Sequence, residues 1–200
     1  FLLGHDCVNN SLRLILVGAG DCQPRLLDAV RAKGIRVSFG YGLTETSSGV
    51  AISTKGDPYA MEICPDDEIS IADDGEILIK APTCMMQGYY KMPEATAEVM
   101  KDGWLLTGDV AIQDEDGFYF LVDRKKDVIV SGGENLYPVE IENFIRSNDK
   151  VNDVAVIGLP DQRLGEIAGA IISIKEGMTC TEEEINRFCL DLPRYKRPRK

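Results

Sequence analysis

One histidine, His5, serves 200 residues. A nucleophile activated by imidazole, or a metal held by imidazoles, has almost no raw material here. No stretch of about 18 apolar residues occurs, which predicts no membrane-spanning helix. The opening residues, Phe1-Leu2-Leu3-Gly4-His5-Asp6, lack a charged leader and a cleavage site, so they are not read as a signal peptide. The six cysteines, at 7, 22, 64, 84, 180 and 189, form no C-x-x-C pair. Zinc and thioredoxin-type sites therefore have no support. Without an export signal these thiols are expected to be reduced, in a cytoplasmic protein. Basic residues are also scarce: 22 Lys and Arg face 33 Asp and Glu, a net charge of −11. That balance argues against a nucleic-acid partner, because backbone phosphates need a basic surface. From Asp57 to Glu76 there are eight carboxylates and no Lys or Arg, read as a solvated, turn-rich surface. The opposite bias, at Arg194, Lys196, Arg197, Arg199 and Lys200, is read as a frayed tail, with contact to an anionic ligand as the alternative. No internal repeat or low-complexity tract occurs.

What is present suffices for a core. Apolar residues make up 44% of the chain, and its length suits one medium domain or one plus a smaller one. Leu12 to Val17 predicts a buried strand that enters a tight loop at Gly18-Ala19-Gly20. Pro24 opens a helical pattern with Leu26, Leu27 and Val30 on one face. Gly34 ends it before a strand from Ile35 to Phe39. Strand, helix and strand in that order predict a parallel α/β sheet with ligand loops at strand ends. Ile69, Ile71, Ile77 and Ile79 alternate around Asp73-Asp74-Gly75, a hairpin signal. Pro93 starts a short helix with Ala95 and Val99 inward. Asp114 to Gly117 turns a second hairpin into Phe118 to Val122. These short strands predict a small antiparallel, barrel-like part beside the parallel sheet. The pattern then restarts, with a strand at Val128 to Val130, a helix from Pro138, and strands at Val154 to Ile157 and Ile167 to Ile174. Thr181-x-x-Glu184 is a capping box for a last helix that Pro193 stops. The fold class is therefore mixed α/β (α+β).

Four motifs carry chemistry. Gly18-Ala19-Gly20 follows a strand, and small residues let a backbone approach a flat base; on the motif alone a plain tight turn is the leading reading, since short glycine loops are common. Tyr41-Gly42-Leu43-Thr44-Glu45-Thr46 joins an aromatic face, which suits a base, to a hard carboxylate, which suits magnesium. A strand end with a half-buried tyrosine is the competing reading. Thr107-Gly108-Asp109 offers one carboxylate in a glycine context, or an aspartate that closes a turn. Ser131-Gly132-Gly133-Glu134-Asn135-Leu136-Tyr137-Pro138 has a glycine pair that permits close approach and unusual φ angles.

Together these motifs resemble the adenylate-forming superfamily, and within it the acyl-CoA synthetases of the fatty-acid–CoA ligase type. The resemblance implies an ATP-dependent ligase that converts a carboxylic acid to acyl-AMP and pyrophosphate, then to acyl-CoA. ATP and AMP, Mg²⁺ and CoA are then its small-molecule partners. Gly18, Ala19, Gly20, Tyr41, Gly42 and Thr44 would line the nucleotide site, with Tyr41 on adenine and the Thr44 hydroxyl at phosphate. Glu45 would hold Mg²⁺, and Thr44 and Glu45 would be the catalytic pair. Asp109 would accept from both ribose hydroxyls, and Arg124 would reach the ribose and phosphate region. Lys126, two residues on, would be the hinge on which a small domain turns. Ser131, Gly132, Gly133 and Glu134 would line the CoA pantetheine path. The same resemblance divides the chain into 1–123, the last part of a large AMP-binding domain, and 124–200, most of a small one. Two family segments have no counterpart in the sequence: the phosphate loop ending in Pro-Lys-Gly and the Thr-Gly-Lys motif with the adenylation lysine. The expectation is a fragment of such an enzyme, inactive alone. A carrier-protein-loading adenylation module and a naturally short, non-catalytic nucleotide-binding or interaction module are the alternatives.

Overall fold

The computed structural model describes residues 11–18, 22 and 24–200. The readings at Phe1 to Asp6, Cys7, Ala19 and Gly20 lie outside the described residues. The chain divides into two compact units, one ending at Leu121 and one spanning Val122–Lys200.

The first unit is built on one mixed sheet. In chain order it holds β1 (Leu14–Val17), α1 (Pro24–Arg31), β2 (Arg36–Leu43), β3 (Ser48–Ser53), β4 (Met61–Ile63), β5 (Glu68–Ile71), β6 (Glu76–Lys80), α2 (Pro93–Val99), β7 (Met100–Lys101), β8 (Trp104–Gln113) and the first half of β9 (Tyr119–Arg124), whose last three residues fall in the second unit. The sheet order is β1-β2-β3-β4-β9-β8-β6-β5, with β7 on β8. β1 and β2 pair parallel, as their connecting helix predicts. The antiparallel hairpins continue that same sheet, so the parallel and antiparallel parts form one layer. Its core gathers Leu27, Phe39, Tyr41, Val50, Met61, Ile77, Ile79 and Leu105. Two details differ from expectation. β1 is not a buried strand: Leu14 and Leu16 are exposed, because β1 lies at the end of the sheet and has β2 as its neighbour among the described residues. On α1, Leu27 is buried but Leu26 is exposed, so the helix turns a narrower stripe inward.

A tight turn leads into β8. The turn is confined to Asp102 and Gly103, both at positive φ, between the paired Lys101 and Trp104. Thr107-Gly108-Asp109 lies within β8 as a bulge. Leu78 pairs with Leu106, yet Glu76 pairs with Val110, so β8 carries two extra residues there. A bulge re-aims side chains that regular pleating would fix.

The second unit holds β10 (Ile129–Ser131), β11 (Glu134–Leu136), α3 (Pro138–Arg146), β12 (Val151–Asp161), β13 (Gly165–Ile174) and α4 (Glu182–Phe188). The sheet order is β11-β10-β13-β12, all antiparallel. Ile141 and Ile145 of α3 are fully buried against Val154, Val156, Ala168 and Ile185. Burying each such side chain stabilises by roughly 1.5–3 kcal/mol. β11, β4 and β7 had no sequence signal, being two or three residues long.

The basic tail is not frayed. Lys196 Nζ donates to both Glu140 carboxylate oxygens at 2.6 and 2.7 Å. Arg197 donates to the carbonyls of Leu190 and Leu192. The Arg199 N–H and Lys200 carbonyl bond to Ala168 and Ala170 of β13.

Thr181 caps α4 as the sequence predicts: the Glu184 N–H donates to Thr181 Oγ1 at 3.3 Å, and the Thr181 N–H donates to Glu184 Oε2 at 3.0 Å. Lys150 and that backbone donor hold the Glu184 carboxyl down to about 2. A depressed carboxyl stabilises the fold above its ordinary value near 4.5 and ceases to do so as pH falls towards 2. Thr181→Ala is expected to cost about 1 kcal/mol. Thermal melts at pH 7 and pH 2.5 check both points: both proteins lose stability at the acid end, while the gap between wild type and Thr181→Ala persists, because Thr181 Oγ1 accepts from a backbone N–H and the Glu184 carboxylate accepts from the Thr181 backbone N–H that alanine retains.

Candidate functional site

In the first unit, distant motifs converge. β2 delivers Tyr41, and β8 delivers Asp109, 68 residues away. The Tyr41 hydroxyl donates to Asp109 Oδ2 at 2.8 Å, and both residues are buried. Each sits at an irregularity, since the β2–β3 register shifts between Tyr41 and Gly42 and Asp109 ends the β8 bulge. The bulge is held from three sides. Thr107 Oγ1 donates to the Ile77 carbonyl at 2.7 Å and accepts from the Asp109 N–H at 3.1 Å. The Gly108 N–H donates to Glu76 Oε1 at 2.9 Å. Gly108 has φ +70, a conformation that favours glycine. Tyr41 is only 7% exposed, so little of its ring is open to a ligand in this conformation.

Thr44 to Thr46 is a single 3₁₀ turn after β2. Thr46 is fully buried, and its Oγ1 both accepts from the Leu43 N–H and donates to the Leu43 carbonyl, each at 3.0 Å. Thr44 is left exposed, and Glu45 is half-buried. The Tyr89 hydroxyl donates to Glu45 Oε1 at 2.6 Å. That bond to a carboxylate pushes the Tyr89 phenol above its ordinary range. Gly42 is exposed beside the strand irregularity. Gly18 follows β1, and an added Cβ there would lie 3.8 Å from the Gly40 carbonyl, an ordinary contact.

Among the described residues, no three or more His, Cys, Asp or Glu side chains gather as a metal cage. Magnesium does not need one, since it is commonly held by one or two carboxylates plus substrate phosphates. The lone Glu45 carboxylate, with Oε1 on Tyr89, fits an ion that arrives with a nucleotide.

The second unit holds the other candidates. Arg124 ends β9, and Lys126 lies in a 3₁₀ turn, Lys125–Asp127; both are exposed. Ser131 and Glu134 pair across a two-residue turn with Gly132 at φ +62 and Gly133 at φ +90, a type I′ hairpin. A Cβ on Gly132 would meet Leu164 Cδ2 at 3.0 Å, whereas a Cβ on Gly133 would meet nothing within 4 Å. Glu166 Oε2 accepts from the Val130 N–H at 3.0 Å, which ties β13 to β10. Asp123 is a residue that sequence reasoning missed. Its Oδ2 accepts from the Val139 N–H at 3.0 Å, at the start of α3, and its Oδ1 accepts from the Arg124 N–H at 2.7 Å. Burial raises its carboxyl despite these donors.

Tyr89, Glu76 and Thr46 were missed as well. Tyr89 and Tyr90 are adjacent, yet Tyr90 is 85% exposed while Tyr89 is turned onto Glu45. Glu76 stood in an acidic run read as solvated, but the bulge draws it inside.

Known proteins resemble this chain in sequence and in fold. The family model for AMP-binding enzymes matches residues 4–90, and that for the AMP-binding enzyme C-terminal domain matches 140–200. The chain belongs to the adenylate-forming, AMP-binding enzyme family. It is 36% identical to a 2-succinylbenzoate–CoA ligase of Geobacillus sp. (strain WCH70), over 98% of this chain and 43% of that protein. Among solved structures, the o-succinylbenzoate CoA synthetase of Bacillus subtilis in complex with its acyl-adenylate OSB-AMP superposes with TM-score 0.88 at 31% identity, covering all of this chain and 44% of that one. The same Bacillus protein has been solved with ATP and magnesium ion. An amide bond synthetase from Marinactinospora thermotolerans matches with TM-score 0.81 at 31% identity, over 94% of this chain and 42% of that one. The chain thus spans less than half the length of these AMP-binding relatives. The CoA ligases among these relatives are named for 2-succinylbenzoate, so a role in fatty acid metabolism is not supported and is set aside. No helix among the described residues is long and apolar enough to cross a membrane.

Proposed function

We propose that these 200 residues are the later part of an ATP-dependent acyl-CoA synthetase. The whole enzyme would couple a carboxylic acid to AMP with release of pyrophosphate, then pass the acyl group to the thiol of CoA. The observation that carries this reading is the Tyr41–Asp109 hydrogen bond of 2.8 Å. It joins an aromatic side chain from β2 to a carboxylate from β8, two groups whose chemistry suits a base and a ribose. In this reading Tyr41 borders adenine and fixes Asp109, which accepts from the ribose hydroxyls. The exposed Thr44 hydroxyl donates to phosphate. Magnesium, when bound at Glu45 with the phosphates, would offset their negative charge. Arg124 reaches the ribose and phosphate region, Lys126 is the pivot, and the hairpin Ser131 to Glu134 lines the path of the pantetheine arm. The acid named for the curated relatives, 2-succinylbenzoate, is the first candidate substrate. Without the phosphate loop and the Thr-Gly-Lys motif, the 200 residues alone are not expected to adenylate an acid.

The test is pyrophosphate release by the full-length enzyme, with 2-succinylbenzoate beside fatty and other aromatic acids, followed by mass analysis of the acyl product. A CoA thioester supports the reading. Transfer only to protein-bound pantetheine favours a carrier-protein-loading module, and transfer to an amine favours an amide-forming one. No acid-dependent pyrophosphate release by the full-length chain would sink it.

A further inference from the structure

The Tyr89–Glu45 contact is not explained by the roles assigned so far. It spans 44 residues at 2.6 Å, and it is not the only tie between these segments. The Met86 N–H donates to the Glu45 carbonyl, also at 2.6 Å. The loop from Met86 to Tyr89 is thus fixed to the 3₁₀ turn through main chain and side chain together. The far end of the loop is fixed too. The Tyr89 N–H donates to Thr96 Oγ1 at 2.9 Å, and Thr96 Oγ1 donates to the Met92 carbonyl at 2.9 Å, on helix α2. Gly88 has φ +144, and a Cβ there would lie 2.9 Å from Thr96 Cγ2, so the loop packs onto α2 as closely as glycine allows. Buried Thr46 holds the Glu45 turn from the opposite side. Glu45 is thereby held at its carbonyl and at one carboxylate oxygen.

We propose that Tyr89 is a positioning residue for Glu45: its hydroxyl occupies Oε1 and presents Oε2 to the magnesium of the incoming nucleotide. This rests on the reading of Glu45 given under Proposed function. The physical reason is preorganisation. A free glutamate samples several rotamers, and an ion with strict octahedral demands gains from a carboxylate already placed. Tyr89 acts through Glu45 and is not itself a metal ligand.

The test is calorimetric titration of the full-length enzyme with AMP, with ATP in EDTA and with ATP in excess Mg²⁺. Tyr89→Phe keeps the ring and removes only the hydroxyl. The expected result is a preference for MgATP over free ATP that falls about tenfold in Tyr89→Phe, the loss of one charge-assisted bond. AMP affinity and melting temperature stay at wild-type values. Glu45→Gln lowers the same preference, and adding Tyr89→Phe to it lowers it no further. An unchanged preference in Tyr89→Phe overturns the proposal, as does an effect fully additive with Glu45→Gln. Parallel losses of AMP affinity and melting temperature would make Tyr89 a packing residue only. A wild type that binds AMP yet shows no magnesium preference removes the role of Glu45 and this inference with it, while the nucleotide site stands. A wild type that binds no nucleotide defeats the proposed function itself.

Discussion

Asp109→Ala is expected to weaken ATP and acyl-AMP binding in the full-length enzyme by roughly 2–4 kcal/mol, two partly compensated charge-assisted hydrogen bonds. That is about 30- to 1,000-fold in Kd. The substitution also removes the acceptor of the Tyr41 hydroxyl, so a simple loss of affinity would be ambiguous. Two controls separate the causes. Tyr41→Phe breaks the same hydrogen bond but leaves the carboxylate for a ribose. It should retain most of the penalty against 2′-deoxy-ATP, whereas Asp109→Ala should lose it. Measuring ATP and 2′-deoxy-ATP with all three proteins decides the matter. If Asp109→Ala binds ATP as wild type does and still discriminates against the deoxy analogue, Asp109 serves the fold alone.

Gly133→Trp is expected to divide the two half-reactions. The Gly133 Cβ position opens onto space, so an indole can be accommodated there, at the cost of a non-glycine residue at φ +90. Acyl-AMP formation should survive, and CoA thioester formation should fall about 100-fold, the order of loss that follows when a reactant is held out of position. Gly132 is the wrong place for this experiment. Its Cβ would strike Leu164, and its N–H donates to the Leu164 carbonyl at 2.8 Å, so substitution there disturbs the hairpin itself. Gly133→Asn is a fitting control, because asparagine tolerates left-handed backbone and adds little bulk. Single-turnover measurement of pyrophosphate and thioester on the same samples gives the answer. Equal loss of both steps in a folded Gly133→Trp protein would take this hairpin out of the CoA path.

The sequence spoke most clearly where the signal was local. The hairpin at Asp73 to Gly75, the helix from Pro138 and the cap at Thr181 each follow from a few neighbouring residues, and each is found. The reading failed where the cause is distant. Nothing beside Leu14 or Leu16 says that their strand lies at the end of the sheet. Nothing in Arg-Tyr-Lys-Arg-Pro-Arg-Lys says that Lys196 meets Glu140, 56 residues earlier. The candidate site divides the same way. Tyr41, Glu45 and Asp109 were legible as motifs, because their residue types answer chemical demands. Tyr89 and Glu76 were not, because each acts on a motif from another part of the chain through one hydrogen bond. Glu76 belonged to an acidic run read as solvated, and its burial goes with a hydrogen bond from the Gly108 N–H in the β8 bulge.

Asp123 has a consequence of a different kind. Its carboxylate joins the Arg124 amide to the Val139 amide at the first turn of α3. Any rearrangement of the backbone at Lys125 to Asp127 that displaces Asp123 from α3 must release the Val139 proton from its acceptor. Val139 is therefore an intrinsic probe of the connector. Its amide resonance and its solvent-exchange rate would record, without a label, whether that segment is docked on the helix or released, and how often it changes between the two.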